Sequence, residues 1–80
     1  MSPYDHAETY RVTYFIRGTP ALTEYLLSHE DIGAFGDRMR DQIFRSTELT
    51  LHLEGRDGNR AVILRTSSID WISIEIGSRP

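Results

Sequence analysis

The chain has 80 residues, of which 12 are acidic and nine are basic, so its formal charge is −3, and it contains no cysteine. This composition excludes disulfides, and the acidic balance disfavours binding of nucleic acid through bulk positive charge. A chain of this length is predicted to form one domain over residues 1–80, with a small core that leaves little net stability. We therefore expect extra buried surface from a homo-oligomer. Residues 1–7 and 77–80 lack periodicity and are predicted to be flexible tails.

Two strands are predicted in the first third of the chain. Residues Glu8–Arg17 place apolar side chains at every second position, which is typical of a half-buried strand. The turn Gly18–Pro20 leads into Ala21–Leu27, which is compatible with a strand or with a helix that begins at Pro20. We favour a strand over Leu22–Leu27, which would complete a hairpin.

One helix is predicted next. Ser28 is the expected N-cap, with Asp31 in the capping-box position three residues later. An apolar stripe at helical spacing then indicates a helix that ends near Arg45 or Ser46. The residues of this stripe recur three or four positions apart: Ile32, Phe35, Met39 and Ile43.

Three more strands are predicted after the helix. The first alternates Leu49, Leu51 and Leu53 with polar residues, and Ala61–Arg65 is the return strand. Residues Gly55–Asn59 form the predicted hairpin loop, because an Asp-Gly step supplies the positive φ that such loops need. A polar break at 66–68 precedes the last strand, Ile69–Ile76.

The order β-β-α-β-β-β predicts an α+β fold: about five antiparallel strands with one helix packed on one face of the sheet. Short connections favour pairing between strands that are neighbours in sequence. The pattern leaves open whether the sheet stays open or curls into a small barrel. No motif is specific enough to name a family.

One face of the predicted sheet combines arginines with aromatic side chains. The residues expected on it are Arg11, Thr13, Phe15, Arg17, Thr50, His52, Trp71 and Ser73. Such a face can dock a second copy of the chain or another protein, or it can stack bases and bind phosphates. Because Glu54 and Glu75 on the same face would repel phosphate, we favour protein contact. Phe15 and Trp71 are then the predicted anchors, and the two arginines set the orientation.

Two glycines within the predicted helix form a second candidate surface. Each costs about 1 kcal/mol relative to alanine in a helix interior. Gly33, Gly36 and Arg40 form a strip beside the apolar stripe. This strip is interpreted either as a site where a partner helix or a nucleic-acid backbone approaches closely, or as packing of the helix on its own sheet. A helix that begins after Gly36 is a further alternative.

The last strand, Ile69–Ile76, also allows two interpretations of equal weight. At a sheet edge, its unpaired backbone groups would accept a matching strand from another copy. As a central strand, it would be buried on both sides.

Catalytic chemistry is not predicted. His52 and Glu54 are the best acid–base pair, but no nucleophile and no oxyanion-binding loop accompany them. The three histidines are scattered, so no metal site is expected, and the sequence calls for no cofactor.

The predicted function is therefore a non-enzymatic protein–protein interaction module that acts as a homo-oligomer and contacts an unidentified protein partner. One alternative is a nucleic-acid-associated regulator that uses the arginine and aromatic face. A second is an acidic inhibitor or immunity-type protein. All nine basic residues are arginines, which indicates a bacterium with GC-rich codons. Without a leader pattern or an apolar run of about 18 residues, a cytoplasmic protein without membrane contact is expected.

Overall fold

The computed structural model describes residues 7–55 and 58–77, which form five strands and one helix. The elements are β1 (Glu8–Ile16), β2 (Leu22–Ser28), α1 (Ile32–Arg45), β3 (Glu48–Gly55), β4 (Gly58–Arg65) and β5 (Ile69–Ile76), with a short 3-10 turn at Thr66–Ser68. The predicted α+β class, strand number and element order are confirmed, and the helix considered for Ala21–Leu27 is wrong. The predicted tails at 1–6 and 78–80 and the loop positions 56–57 lie outside the described residues.

The strands form two antiparallel sheets, one with the order β2-β1-β5 and the other with β3 and β4. Pairing between neighbours in sequence is therefore wrong for β4 and β5, because β5 returns to the first strand. The chain leaves β4 through Thr66, whose backbone N–H donates to Thr47 O at 3.0 Å and whose Oγ1 donates to Ser46 O at 2.7 Å. These bonds hold the crossing from one sheet to the other at the end of the helix.

The core lies between β1, α1 and β3, each of which buries one face. Its buried apolar residues are Tyr10, Val12, Tyr14, Ile16, Phe35, Met39, Leu49, Leu51 and Leu53. The rings of Tyr10 and Phe35 stack with their centroids 4.4 Å apart. The predicted helical stripe is correct at Phe35 and Met39, whereas Ile43 is half-buried and Ile32 is exposed at the first turn.

The helix begins three residues later than the predicted cap allows. Asp31 is the N-cap, and its Oδ1 accepts from the backbone N–H of Ala34 at 2.8 Å. Ser28 is instead the last residue of β2, because the ladder with β1 continues to the pair Glu8 and Ser28. Its Oγ accepts from the N–H of Glu30 at 3.1 Å and shapes the turn before the helix. The predicted end at Arg45 is confirmed.

The β3–β4 hairpin pairs up to Gly55 opposite Gly58. The return strand therefore begins at Gly58 rather than Ala61, and the connection is shorter than predicted. Gly58 has φ +114, a conformation that L side chains rarely adopt, so the positive φ expected of the Asp-Gly step is confirmed.

A buried carboxylate joins the hairpin to the three-stranded sheet. Glu24 on β2 is only 6% exposed, and its carboxylate accepts from the hydroxyl of Tyr14 at 2.6 Å and from the backbone N–H of His52 at 3.2 Å. Burial, with a smaller effect of this hydrogen bond, raises the pKa of Tyr14 above its ordinary value. Two donors thus offset the cost of removing the Glu24 carboxylate from water.

Candidate interaction surface along the β5 edge

β5 is an edge strand, which decides between the two interpretations of Ile69–Ile76. Among the described strands it pairs with β1 alone. The N–H of Gly77 donates to Thr9 O at 3.0 Å, so these opposite residues form a hydrogen-bonded pair. Such pairs occur at every second position of an antiparallel ladder. The backbone groups of Trp71, Ser73 and Glu75 therefore face β1.

Ile69 pairs with Ile16, and Asp70 lies in the irregular part of the ladder. The other residues of β5 direct their backbone groups away from β1. These residues are Ile72, Ile74 and Ile76, and no described residue hydrogen-bonds to their N–H or C=O groups. Ile72 and Ile74 are half-buried, and Ile76 is 58% exposed. From Ile72 to Ile76 the edge therefore offers a row of donors and acceptors that no described residue binds, with isoleucine at each of the three outward positions.

A groove of about 640 Å³ runs between β5 and α1, and we call it the edge groove. Its apolar wall is formed by Met39, Ile43, Phe44, Ile69, Ile72 and Ile74. Phe44 is 82% exposed, and Trp71, which also borders the groove, is 58% exposed. The free edge and the exposed apolar groove are therefore one continuous surface.

The predicted glycine strip divides between two places. Gly36 and Arg40 both border the edge groove, and a Cβ on Gly36 would lie 3.8 Å from Cδ1 of Ile74, an ordinary contact distance. Gly33 lies one turn earlier and is exposed, with only the Asp31 cap nearby. Close approach of a partner at this strip stays a prediction, in which Gly36 and Arg40 share a surface and Gly33 does not.

The four residues predicted as partner contacts come together on the sheet face opposite the core, which we call the outer face. Phe15 and Trp71 are direct neighbours across β1 and β5, and their rings stack with centroids 3.7 Å apart at an interplanar angle of 4°. Ion pairs flank this stack: Arg11 Nη2 with Glu75 Oε2 at 2.7 Å, and Arg17 Nη2 with Asp70 Oδ1 at 3.2 Å. The hydrogen bond and the charge of Glu75 raise the pKa of Arg11.

The predicted extension of this face onto the third strand is wrong. Thr50, His52 and Glu54 lie on β3, which belongs to the separate hairpin. Thr13 and Ser73 do lie on the outer face, where they are paired across β1 and β5. The arginine and aromatic surface is therefore confined to the three-stranded sheet.

Two features of this region were not predicted from the sequence. The first is the burial of Glu24. It shares a strand face with Leu22 and Leu26, so a charged residue among apolar ones was the signal for a buried carboxylate. The second is the exposure of Phe44 beside the edge groove. It follows Ile43 but lies off the helical stripe, and an aromatic residue on the polar side of a helix was the signal for an exposed apolar surface. The edge groove itself depends on the pairing of β5 with β1, which no local pattern contains.

Within residues 7–55 and 58–77, no three histidine, cysteine or acidic side chains are grouped to hold a metal ion. In the same part of the chain, no helix has the length and apolar character needed to cross a membrane.

Comparisons with protein-family models, with curated proteins and with solved structures found no match. A function for this chain must therefore be inferred from its own residues and geometry.

Proposed function

We propose that this protein is a non-enzymatic protein-interaction module that acts as a homo-oligomer through the β5 edge and the edge groove. The observation that carries the proposal is the row of outward backbone groups on Ile72, Ile74 and Ile76. An edge strand of this kind accepts an incoming strand through main-chain hydrogen bonds, while a pocket beside it receives side chains.

The composition of this edge supports association. Soluble proteins commonly protect exposed edges with lysine, proline, a covering element or an inward-pointing charge. None of these stands at the three outward positions of β5. Phe44, Trp71 and Ile76 add exposed apolar surface next to the same edge, and contiguous apolar surface of this kind typically marks an interaction site.

The proposal includes an open arrangement of the two sheets rather than a closed barrel. A barrel would pair the β5 edge with another strand of the same chain and would leave nothing for a second copy. We place the module in the bacterial cytoplasm on the composition described above, and we leave an additional protein partner as part of the proposal.

The electrostatics of the outer face give less support to the two alternatives. The two arginines that would bind phosphate are already paired with Glu75 and Asp70. The same pairs occupy carboxylates that an acidic inhibitor would present to a basic partner, and Glu30 is likewise bonded to Arg38 at 2.7 Å. Protein contact through apolar surface requires none of these groups to be released.

The experiment is the solution mass by light scattering over a range of protein concentrations, for the wild type and two lysine variants. Ile76→Lys introduces an ammonium at the proposed contact, and desolvating it there should reduce the mass to that of a monomer. Leu27→Lys is the matched control, because Leu27 is 73% exposed on β2, at the opposite edge of the same sheet. It should leave the mass unchanged.

Two results would contradict the proposal. A wild type that is monomeric at all concentrations removes the homo-oligomer, and an Ile76→Lys variant with wild-type mass removes the β5 edge as the contact. Circular dichroism checks that both variants fold. A second arm adds a mixed-sequence DNA duplex at low and high salt, because binding that weakens steeply with salt would favour the nucleic-acid alternative instead.

A further inference from the structure

We propose that two copies pair β5 with β5 in an antiparallel arrangement whose two-fold axis passes through Ile74. This inference rests on the proposed function and specifies its partner and register. A two-fold axis places the same surface of both copies in contact, so the contact closes on itself and does not grow into a fibre. Each copy would contribute its three strands, β2-β1-β5, to one continuous sheet.

The positions of the free backbone groups select the axis. In an antiparallel ladder, hydrogen-bonded residues face each other and exchange two N–H···O=C bonds per pair. With the axis at Ile74, Ile72 faces Ile76 of the second copy, Ile74 faces its own counterpart, and Ile76 faces Ile72. All three outward-facing residues then find partners that are also outward-facing.

Neighbouring registers satisfy fewer of these groups. An axis at Ser73 would place Ile76 opposite Asp70 of the second copy. Asp70 lies where the ladder between β1 and β5 is irregular, because the register shifts between Phe15 and Ile16. An axis at Glu75 would set two Glu75 carboxylates opposite each other, which is unfavourable. With the axis at Ile74, Glu75 faces Ser73 and no like charges oppose.

The side chains agree with the same register. On the core side, the isoleucines of both strands form one apolar row that continues along the edge groove. On the outer face, Trp71 lies opposite Gly77 of the second copy, which has no side chain to compete for the space beside the indole ring. The exposed part of Ile76 is covered by Ile72 of the second copy.

Single cysteines test the register, because the chain has none of its own. Ser73→Cys and Glu75→Cys place thiols on the outer face, away from the core. In the proposed register, residue 73 faces residue 75 of the second copy in a non-hydrogen-bonded pair, about 4.5 Å between Cα atoms, which suits a disulfide. In two copies of the same variant, the Cα atoms of the two cysteines lie about 8 Å apart, which is too far for a disulfide.

We therefore expect a reciprocal pattern. An equimolar mixture of the two variants, exchanged under reducing conditions and then oxidised with glutathione, should give a mixed covalent dimer at least about tenfold more abundant than the dimer from either variant alone. Ile74→Cys should cross-link to itself, because it lies on the axis. Ser73→Cys mixed with Thr50→Cys is the control for random oxidation, since Thr50 is an exposed residue of the hairpin.

The outcomes separate this inference from the proposed function. If Ser73→Cys alone cross-links efficiently, the axis lies at Ser73 and the register is wrong, while the β5 edge remains the contact. If the wild type is an oligomer but neither the mixture nor Ile74→Cys cross-links, the inference fails alone. If the wild type is a monomer, both fail. Circular dichroism confirms folding, and loss of the exposed Glu75–Arg11 pair should have little effect on it.

Discussion

The two edges of the three-stranded sheet differ in whether another part of the described chain covers them. The β2 edge lies against the β3–β4 hairpin, where Glu24 accepts from the backbone N–H of His52. Within the described residues, no strand pairs with the side of β5 that faces away from β1, and the outward positions from 72 to 76 are isoleucine. A covered edge with an inward-pointing charge resists pairing with other chains. One sheet thus combines a side that the hairpin covers with a side that no described strand covers.

The protected edge depends on exact partners for its carboxylate. A buried charge is costly unless hydrogen bonds replace its water, and removing one partner leaves that cost uncompensated. The isoleucines of the β5 edge carry no such requirement. An isoleucine without a partner forgoes only favourable apolar contact and leaves no buried charge uncompensated. Substitutions should therefore affect the free energy of unfolding at the β2 side and the oligomeric state at the β5 side.

The largest expected effect comes from separating the hairpin from the sheet. Leu51 on β3 is 0% exposed, so Leu51→Ala should lower the free energy of unfolding by about 2–5 kcal/mol through lost burial and a cavity. Ile63→Ala on the paired strand β4 is the control, because Ile63 is 66% exposed and its loss should change stability by less than about 0.5 kcal/mol. Urea unfolding measures both, and equal losses would mean that the hairpin is not packed as described.

The next effect concerns the link between the sheets. Tyr14→Phe removes the hydroxyl that donates to Glu24 and should cost about 1–3 kcal/mol, because the buried carboxylate keeps only the donor from His52. In a Glu24→Gln background the same substitution should cost less, since no charge is left uncompensated. Urea unfolding of the four proteins gives this difference, and an unchanged cost would show that the hydrogen bond adds nothing.

The same link predicts a dependence on alkaline pH. The pKa of Tyr14 is higher in the folded protein than in the unfolded chain, where it is about 10. The stability that this group supplies is therefore complete below about pH 10 and is lost as the pH rises further. Tyr14→Phe should show a shallower decline of the free energy of unfolding above that pH than the wild type.

A smaller effect on stability, but a clear one on association, is expected at the aromatic stack. If Trp71 is an anchor of the proposed oligomer, Trp71→Ala should weaken that oligomer about tenfold, as truncation of a tryptophan at an interface commonly does. Phe15→Ala removes the ring that Trp71 stacks on and should weaken it in the same direction. Sedimentation over a concentration series measures both, with Ile63→Ala as the control. If both variants keep the wild-type mass and partner binding, these residues are not anchors.

The smallest effect comes from Glu30, a partly exposed carboxylate that contrasts with the buried Glu24. The hydrogen bond from Arg38 holds the pKa of Glu30 below its usual range. The stability from this pair is present above the unfolded pKa of about 4.3 and is lost as the pH falls through the lower folded value. Arg38→Gln should flatten this acid dependence in thermal unfolding. Because the pair is exposed, a large loss at neutral pH would contradict this account.

Local patterns predicted the elements well. The alternation in Glu8–Ile16 correctly predicted which face of β1 is buried. Side chains alternate between the two faces of a strand, so the same pattern correctly placed Phe15 and Trp71 together on the outer face. The positive φ of Gly58 followed from turn chemistry alone. The cap was misplaced because the Ser28 pattern suits a helix start as well as the end of a strand, and pairing with Glu8 favours the strand.

The candidate site was predictable only in part, since it depends on which strands meet. The isoleucines of β5 are compatible with an edge or a central strand, and only the pairing with β1 decides the matter. The edge groove exists because α1 and β5 lie side by side, although they are distant in sequence. Exposure of Phe44 and burial of Glu24 are likewise results of three-dimensional packing.

The pairing of the first strand with the last also affects how the chain folds. Arg11 and Glu75 are 64 positions apart, whereas Thr13 and Thr23, which meet across β1 and β2, are only 10 apart. Closing the longer loop costs more chain entropy, and such pairings slow folding. We expect both hairpins to gain amide protection before β5 does in pulse-labelled hydrogen exchange. During synthesis, the edge of β1 that pairs with β5 would then remain unpaired until the chain has been made as far as residue 76.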